Sequence, residues 1–262
     1  MKKAITNKSA GEIANQKKIN RRTFFSFATF FGTGALMFGG WKWLNNTADE
    51  TPGITAGLTK PLRRALNQNE LAFQKTFSNN HLVKTYPKSM AAPNVRVNSL
   101  IGIEDEDYDV KDWQMSVLNG EKEIMKISLP QIIDLPKTEI IFDFKCVEGW
   151  DQVQHWGGVS MVDFIAHFNL QAYSSMNYMG MATPDQNYYV GLDMESALHP
   201  QTLLAYEMNG KPLSSKHGAP LRLIIPVKYG IKNLKRIGSI SFGNTRPPDY
   251  WAENGYDYYS GL

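Results

Sequence analysis

Residues 139–165 read EIIFDFKCVEGWDQVQHWGGVSMVDFI. The first eight, 139–146, are rich in aromatic and β-branched residues and predict a strand that ends at the cysteine. Near the other end, Ser160 and Asp163 form the pattern of a helix N-terminus, and apolar residues follow at helical spacing from Met161. The stretch therefore predicts a strand, then Cys146 before a glycine turn, and then a short helix.

Cys146 is the only cysteine, which excludes an intrachain disulfide framework and a zinc site of several thiolates. From the residues alone it can be a small buried hydrophobe, a reactive thiol or the thiolate ligand of a metal. A strand end before a glycine turn can direct a side chain into a cleft, which favours the last two. A hydrolase that pairs Cys146 with His155 or His217 is a further alternative, although C-V-E-G-W lacks a protease-like context.

A basic segment is the second chemical signal. Between residues 211 and 246 the chain has eight basic residues and no acidic one. They are Lys211, Lys216, Arg222, Lys228, Lys232, Lys235, Arg236 and Arg246. A solvated face is one interpretation, but these charges interrupt a buried-looking strand, PLRLIIPV, and a glycine loop, KYGIKNLK. Charges in such places usually have an anionic partner, so the segment predicts a site for a phosphate-bearing ligand.

The body of the chain, from residue 63 onward, is rich in strand signals. Further strands are predicted at 113–118, 188–193, 221–227 and 237–242. Short helices are predicted within 63–76 and 128–135. The predicted fold class is α+β and mostly β, with mixed strands and short helices between them.

Charge and ligand spacing exclude several functions. Of the 28 lysines and arginines and 25 acidic residues, the first 50 positions hold eight and three, so the body is not basic and does not resemble a nucleic-acid binder. The five histidines form no H-x-x-x-H pair, which excludes the usual histidine zinc site. The acidic run over 104–112 lacks the order of calcium ligands in an EF-hand and predicts a solvated loop.

The N-terminus carries an address signal. Arg21 and Arg22 precede Phe24 and Phe25, and residues 23–41 are uncharged. A paired arginine before bulky apolar residues resembles the twin-arginine export signal. A stop-transfer or anchor helix oriented by its positive charges is the alternative, and both cleavage and retention as an anchor stay open. The predicted organisation is a signal or anchor over 1–44, a linker over 45–62 and one domain over 63–262.

Two blocks together carry a family resemblance. They are KCVEGWDQVQHWGGVSMVDFI at 145–165 and HGAPLRLIIPVKYGIKNLKRI at 217–237. In them the chain resembles the sulfite oxidase-type molybdopterin-binding domain, in the bacterial exported branch that includes the catalytic subunit of periplasmic methionine sulfoxide reductase. The resemblance covers about residues 75–250, and it implies a molybdenum-molybdopterin cofactor.

The resemblance also implies roles for individual residues. The cysteine of C-x-E-x-W ligates molybdenum in the family, a role that falls on Cys146, which is therefore the candidate catalytic and metal-binding residue. The implied cofactor contacts are Asn79, Thr183, His217, Arg222, Asn233, Leu234 and Lys235. Asn79 lies in SNNHLV, which only partly matches the family's upstream loop. The arginine-rich block of true sulfite oxidases is absent, and Glu148 and Gly149 stand in its place.

The implied function is oxygen-atom transfer to or from a small substrate, such as a sulfoxide or a sulfite-like compound. The chain has no C-x-x-C-H haem motif and no cysteines for an iron–sulfur cluster, so electrons have to be exchanged with another protein. A membrane cytochrome or a soluble c-type cytochrome is the implied partner, and the twin-arginine machinery is the implied exporter. A binding or structural module that keeps the fold without catalysis is the alternative.

Overall fold

The computed structural model describes residues 10–46, 60–76, 81–104 and 108–261. The chain divides into two compact units, residues 1–49 with 59–65 and residues 50–58 with 66–262. The described part of the first unit consists of helix α1 (Ala10–Asn45) and the start of helix α2 (Lys60–Thr76). Residues 20–43 of α1 are long and apolar enough to cross a membrane.

Two five-stranded sheets build the second unit. The first sheet has the order β2-β1-β10-β5-β6. Its strands are β1 (Gln114–Asn119), β2 (Lys122–Ser128), β5 (Tyr178–Ala182), β6 (Tyr189–Asp193) and β10 (Ser239–Gly243). The β1–β10 pair is parallel and the other pairs are antiparallel. Met115 and Val117 of β1 are fully buried in the larger core, as expected of a strand with one covered face.

The second sheet carries the hairpin whose turn holds Cys146, called the cysteine hairpin below. It has the order β3-β4-β7-β8, and β9 pairs with β7. Its strands are β3 (Thr138–Lys145), β4 (Asp151–Ser160), β7 (Leu203–Met208), β8 (Lys211–Pro212) and β9 (Arg222–Ile224). All the pairs are antiparallel. A second core cluster lies on one face of this sheet and includes Phe142, Phe144 and Trp156.

Short helices connect the strands. They are α3 (Leu129–Ile133), α4 (Met161–His167), α5 (Gln171–Ser174), α6 (Met194–Ala197) and α7 (Tyr250–Glu253). The predicted cap of α4 is confirmed, because the Ser160 hydroxyl accepts a hydrogen bond from the Asp163 amide at 3.1 Å. The fold class is therefore the predicted one, with mixed strands and short helices between them.

Three elements differ from the prediction. The strand predicted over 221–227 ends at Ile224, because the Ile225 amide donates to the Asn233 side chain instead of a neighbouring strand. Strand β4 was not predicted, because His155 and Trp156, on opposite faces, are both buried and leave no alternating pattern. Helix α2 begins at Lys60, within the predicted linker, and the linker residues 47–59 lie outside the described part of the chain.

Candidate cofactor site

Cys146 lies in the tight turn between β3 and β4. Its amide donates to the Trp150 carbonyl at 2.9 Å, and the Gly149 amide donates to the Cys146 carbonyl at 3.1 Å. Gly149 has φ +84°, a left-handed conformation that favours glycine. The Trp150 indole donates to Glu148 at 2.8 Å and stacks on Phe144 with ring centroids 6.0 Å apart. The C-V-E-G-W segment is therefore a braced turn that presents Cys146.

The thiol of Cys146 is buried beside a cation. Burial raises its pKa, and the backbone amide of Glu148 and the charge of Arg96 oppose that rise. The Arg96 guanidinium lies 4.7 Å from the centroid of the Trp150 ring. Arg96 was not predicted from the sequence, where its only signal is a lone charge within the segment NVRVNSLI. A metal ion or a further cationic group at this turn would favour the thiolate form.

Part of the basic segment is structural, which corrects the expectation that its buried charges serve a ligand. Lys228 Nζ lies 3.5 Å from Asp193, and Lys232 Nζ donates to Asp249 at 2.5 Å. The acidic partners are at the end of β6 and at the N-cap of α7, both outside residues 211–246. The sequence of the basic segment therefore gave no sign of them. Burial lowers the pKa of Lys228 to about 7, against the attraction of Asp193.

Arg222 on β9 is different, because no described carboxylate pairs with it. It is only 2% exposed, and its two terminal nitrogens donate to the carbonyls of His217 and Asn233 at 3.0 and 3.3 Å. The guanidinium carbon lies 4.6 Å from the centroid of the Trp156 ring, and Nε has no hydrogen-bond partner. Burial lowers the pKa of Arg222 to about 9. A buried cation in this state calls for an anion.

Lys235 adds to the positive potential around Arg222, and His217 lies close to both cations. The Lys235 ammonium donates to the carbonyls of Asn98, Ser99 and Lys216 at 2.7, 2.7 and 3.1 Å, and the ion pairs of the described chain do not include it. Burial, then the charge of Arg222, lowers its pKa to about 7. Burial, Arg222 and Lys235 lower the pKa of His217 to about 4, so its ring is neutral at pH 7.

Asn233 and Leu234 hold the loop between Arg222 and Lys235. The Asn233 side chain accepts from the Ile225 amide at 2.8 Å and donates to the Tyr229 carbonyl at 3.1 Å. The Leu234 carbonyl accepts from the Leu223 amide, and its amide donates to the Lys232 carbonyl. These contacts position the neighbouring cations, whatever further contact either residue makes with a ligand.

Thr183 lies in the turn between β5 and β6, and Asn79 lies outside the described residues. The Thr183 hydroxyl donates to Asp185 at 2.5 Å and accepts from the Tyr188 amide at 3.1 Å. Tyr188 lines a cavity of about 20 Å³ that Asn98, Asn233 and Lys235 also line. Thr183 therefore contacts one wall of that cavity through Tyr188.

Gly230 lies in the loop between Arg222 and Lys235, called the cationic loop below, and brings this loop to the cysteine hairpin. A Cβ at Gly230 would lie 2.9 Å from the Phe144 ring and 3.5 Å from the Lys145 carbonyl, so only glycine fits this approach. Gly230 also lines the cavity beside Lys235. The loop that leads to Lys235 thus packs against the strand that leads to Cys146, and Arg222 and His217 lie close to Lys235. Three larger cavities, of about 510, 480 and 500 Å³, are lined by other residues.

Comparison with known proteins decides the family. A model of the oxidoreductase molybdopterin-binding domain matches residues 102–251, more than half of the chain. The chain belongs to this family. It is a molybdopterin-dependent oxidoreductase with the predicted sulfite oxidase-type fold.

The relatives of this chain include methionine sulfoxide reductase proteins. A protein of Azospira oryzae, named as a candidate protein-methionine-sulfoxide reductase subunit YedZ1, is 31% identical over 186 residues, which are 71% of this chain and 70% of that protein. The catalytic subunit MsrP of Campylobacter jejuni is 29% identical over 60% of this chain and 59% of its own length. For MsrP of Ralstonia nicotianae the values are 34%, 57% and 50%. The chain therefore spans about half to three-fifths of the MsrP proteins.

The residues present fit the cofactor of this family. Molybdopterin carries a phosphate, and the site offers buried cations without described carboxylate partners together with an unpaired donor, Arg222 Nε. The cavity beside Lys235 has a volume of about 20 Å³, and Asn98 and Ser99, whose carbonyls accept hydrogen bonds from the Lys235 ammonium, line it.

Proposed function

We propose that this oxidoreductase reduces sulfoxides of the methionine type. The observation that carries the proposal is the braced turn that presents Cys146, on a hairpin against which Gly230 packs the loop between Arg222 and Lys235, in a chain of the molybdopterin-binding family. The names of the relatives select the sulfoxide over a sulfite-like substrate. The balanced reaction is sulfoxide plus two electrons and two protons, which gives sulfide and water.

Each residue has a proposed task. Cys146 supplies the thiolate ligand to molybdenum, and Arg222 and Lys235 hold the pterin phosphate. His217, Asn233, Leu234, Thr183 and, in the upstream loop, Asn79 are the remaining proposed cofactor contacts. When bound, the cofactor supplies two-electron exchange of an oxygen atom. The protein contributes orientation and exclusion of water, because Cys146 is only 6% exposed and lies beside the Phe144–Trp150 stack.

Arg96 is the proposed substrate-facing cation. Its charge reaches the thiol of Cys146, and its side chain is exposed and lies on the Trp150 ring. A guanidinium in that position can donate a hydrogen bond to a sulfoxide oxygen, which carries partial negative charge. No closing movement of the chain is needed for this contact, because the Arg96 amide already donates to the Gln152 side chain at 3.0 Å.

The electron partner is proposed to be a separate membrane or c-type cytochrome, because the chain has one cysteine and no haem motif. Such a carrier delivers one electron at a time, so each turnover requires two deliveries. We also place the enzyme outside the cytoplasmic membrane, exported by the twin-arginine route. The arginine pair and the apolar helix α1 support this location.

Metal analysis and turnover together test the proposed function. Purified full-length protein is expected to contain about one molybdenum per chain and to oxidise a reduced viologen dye when methionine sulfoxide is added. Addition of sulfite with an oxidised dye is the matched comparison and is expected to give much less turnover. Absence of molybdenum from correctly folded protein would favour the non-catalytic module, and faster turnover with sulfite would reverse the proposed direction.

A further inference from the structure

Gln154 is a buried polar side chain on an otherwise apolar face. It lies on β4 opposite Phe142, and it is only 2% exposed. Its Nε2 makes one long contact, 3.4 Å to Gln152, and its Oε1 has no hydrogen-bond partner. A buried carbonyl without a partner costs free energy, and such groups in folded proteins usually face a ligand, an ion or an ordered water.

Two further unpaired atoms lie on the same face. Trp156 is two residues along β4, so its side chain leaves the strand on the same side as Gln154. The Trp156 indole nitrogen has no partner, and neither has Nε of Arg222, whose guanidinium lies over the Trp156 ring. The face therefore offers one acceptor and two donors, all of them buried.

Cys146 stands at one end of this row. It follows Phe142 and Phe144 in alternation, and its amide continues the ladder by donating to Trp150. Phe142 lies opposite Gln154, so continued alternation along the hairpin places Cys146 on the same side as Gln154. The unpaired atoms thus run from the cysteine turn toward Arg222, in the direction in which the cofactor has to extend if Cys146 holds its metal and Arg222 its phosphate.

We infer that Gln154 recognises the pterin ring, an inference that rests on the proposed function. A pterin carries ring and amino N–H groups beside a carbonyl and ring nitrogens, so it can donate to Gln154 Oε1 and accept from the Trp156 indole, while Arg222 holds the phosphate. Packing in an apolar core does not require a carboxamide at this position, and neither does binding of a phosphate alone. Gln154 is therefore a cofactor-binding residue that distinguishes a pterin from another phosphate-bearing group.

The test replaces Gln154 by methionine, which has a similar shape and no acceptor. Full-length protein is purified after expression with molybdate, and molybdenum by mass spectrometry and oxidised pterin by fluorescence are measured before and after a fixed dialysis. The Q154M variant is expected to retain the cofactor about tenfold less well, the effect of one lost buried hydrogen bond. The melting temperature of its cofactor-free form is expected to stay equal or rise. The control Q114M changes an exposed glutamine of β1 and is expected to change neither.

The outcomes separate the possibilities. Wild-type retention in Q154M overturns the inference, and a lower melting temperature with that retention assigns the carbonyl to a bound water. If Q154M both melts lower and loses cofactor, cofactor content is compared per folded chain, well below both melting temperatures. Loss per folded chain supports pterin recognition, and wild-type content per folded chain overturns it. A wild-type protein without molybdenum and pterin contradicts the proposed function instead.

Discussion

Replacing the sulfur of Cys146 by oxygen separates structure from chemistry at this residue. The turn is held by backbone hydrogen bonds and by the Trp150 indole, so Cys146→Ser is expected to fold and to keep the pterin. A hydroxyl is a harder and less acidic ligand, and sulfoxide turnover is expected to fall by more than the roughly 10–100-fold that loss of a supporting residue costs. Turnover and pterin content of the same preparation check this, and wild-type activity would remove Cys146 from the catalytic role.

Arg222 is expected to determine cofactor occupancy. Arg222→Met removes a buried cation that no described carboxylate balances, together with its charge-assisted hydrogen bonds. Molybdenum content is expected to fall about tenfold or more, as for loss of a hydrogen bond to a charged group. Lys211→Met, on the exposed strand β8, is the control. Equal molybdenum in the two variants would contradict a role for Arg222 in phosphate binding.

The lowered pKa of Lys235 predicts that the free energy of unfolding of the cofactor-free protein depends on pH. Its pKa in the cofactor-free fold is lowered to about 7, whereas in the unfolded chain it is about 10.4. Between these values the unfolded state binds more protons, so the free energy of unfolding rises with pH across this window and stays low below it. Lys228 contributes with the same sign. Denaturant unfolding from pH 7 to 9 is expected to show a smaller rise in Lys235→Met than in the wild type, and equal slopes would contradict the assignment.

At the level of single residues, local sequence pointed to Cys146 before its glycine turn, and the family resemblance added Arg222 and Lys235 as cofactor contacts. These roles stay predictions. Asn98, whose carbonyl lies 137 residues from the lysine it contacts, could not be found in this way, because nothing local marks a backbone acceptor. Arg96 and Gln154 were missed for the same reason: their significance comes from long-range contacts.

At the element scale, the segment 257–261 holds the cationic loop from behind. The Tyr229 amide donates to the Ser260 carbonyl at 3.0 Å, and Lys228 Nζ lies 2.8 Å from the centroid of the Tyr259 ring. The 3-10 turn Gly230–Lys232 follows directly, so a loss of this support is transmitted to the site.

Tyr259→Ala is therefore expected to destabilise the fold by about 3 kcal/mol, the cost of deleting a large buried ring. Hydrogen exchange is expected to increase in a peptide over 226–236 and to stay unchanged over 138–145. Tyr256→Ala, at a 41% exposed ring, is the control. Uniform loosening of both peptides would show that Tyr259 supports the whole core and not this loop.

Strands whose burial alternates, β1, β3 and β10, were predicted from the sequence, and capping indicated α4. Strand β6 was also predicted, although four successive residues of it are buried. Strand β4 was missed because both of its faces are buried, which removes the period of two. The predicted strand over 221–227 was too long, because after Ile224 the backbone pairs with the Asn233 side chain, a partner that periodicity does not show.

At the scale of the whole molecule, an apolar helix and a catalytic unit occur in one chain. Helix α1 has the length to cross a membrane, and its large side chains Phe30, Leu36, Phe38 and Trp41 are exposed. Exposed apolar surface of this kind indicates a membrane or a protein partner. The tryptophans at 41 and 43 lie near one end of the apolar stretch, where indoles favour a membrane interface.

Replacing Arg21 and Arg22 by lysine tests the export route. The change keeps the charge that orients an anchor helix but removes the arginine pair that the export machinery reads. We expect the variant to accumulate in the cytoplasm, whereas Lys17 and Lys18 changed to arginine serve as the control and leave export intact. Fractionation of cells followed by immunoblotting measures this, and equal amounts of variant and wild type outside would reject the twin-arginine route. N-terminal sequencing of the exported protein then decides the fate of α1: a start near residues 45–50 means cleavage, and an intact N-terminus means that the helix stays as an anchor beside the electron carrier of the membrane.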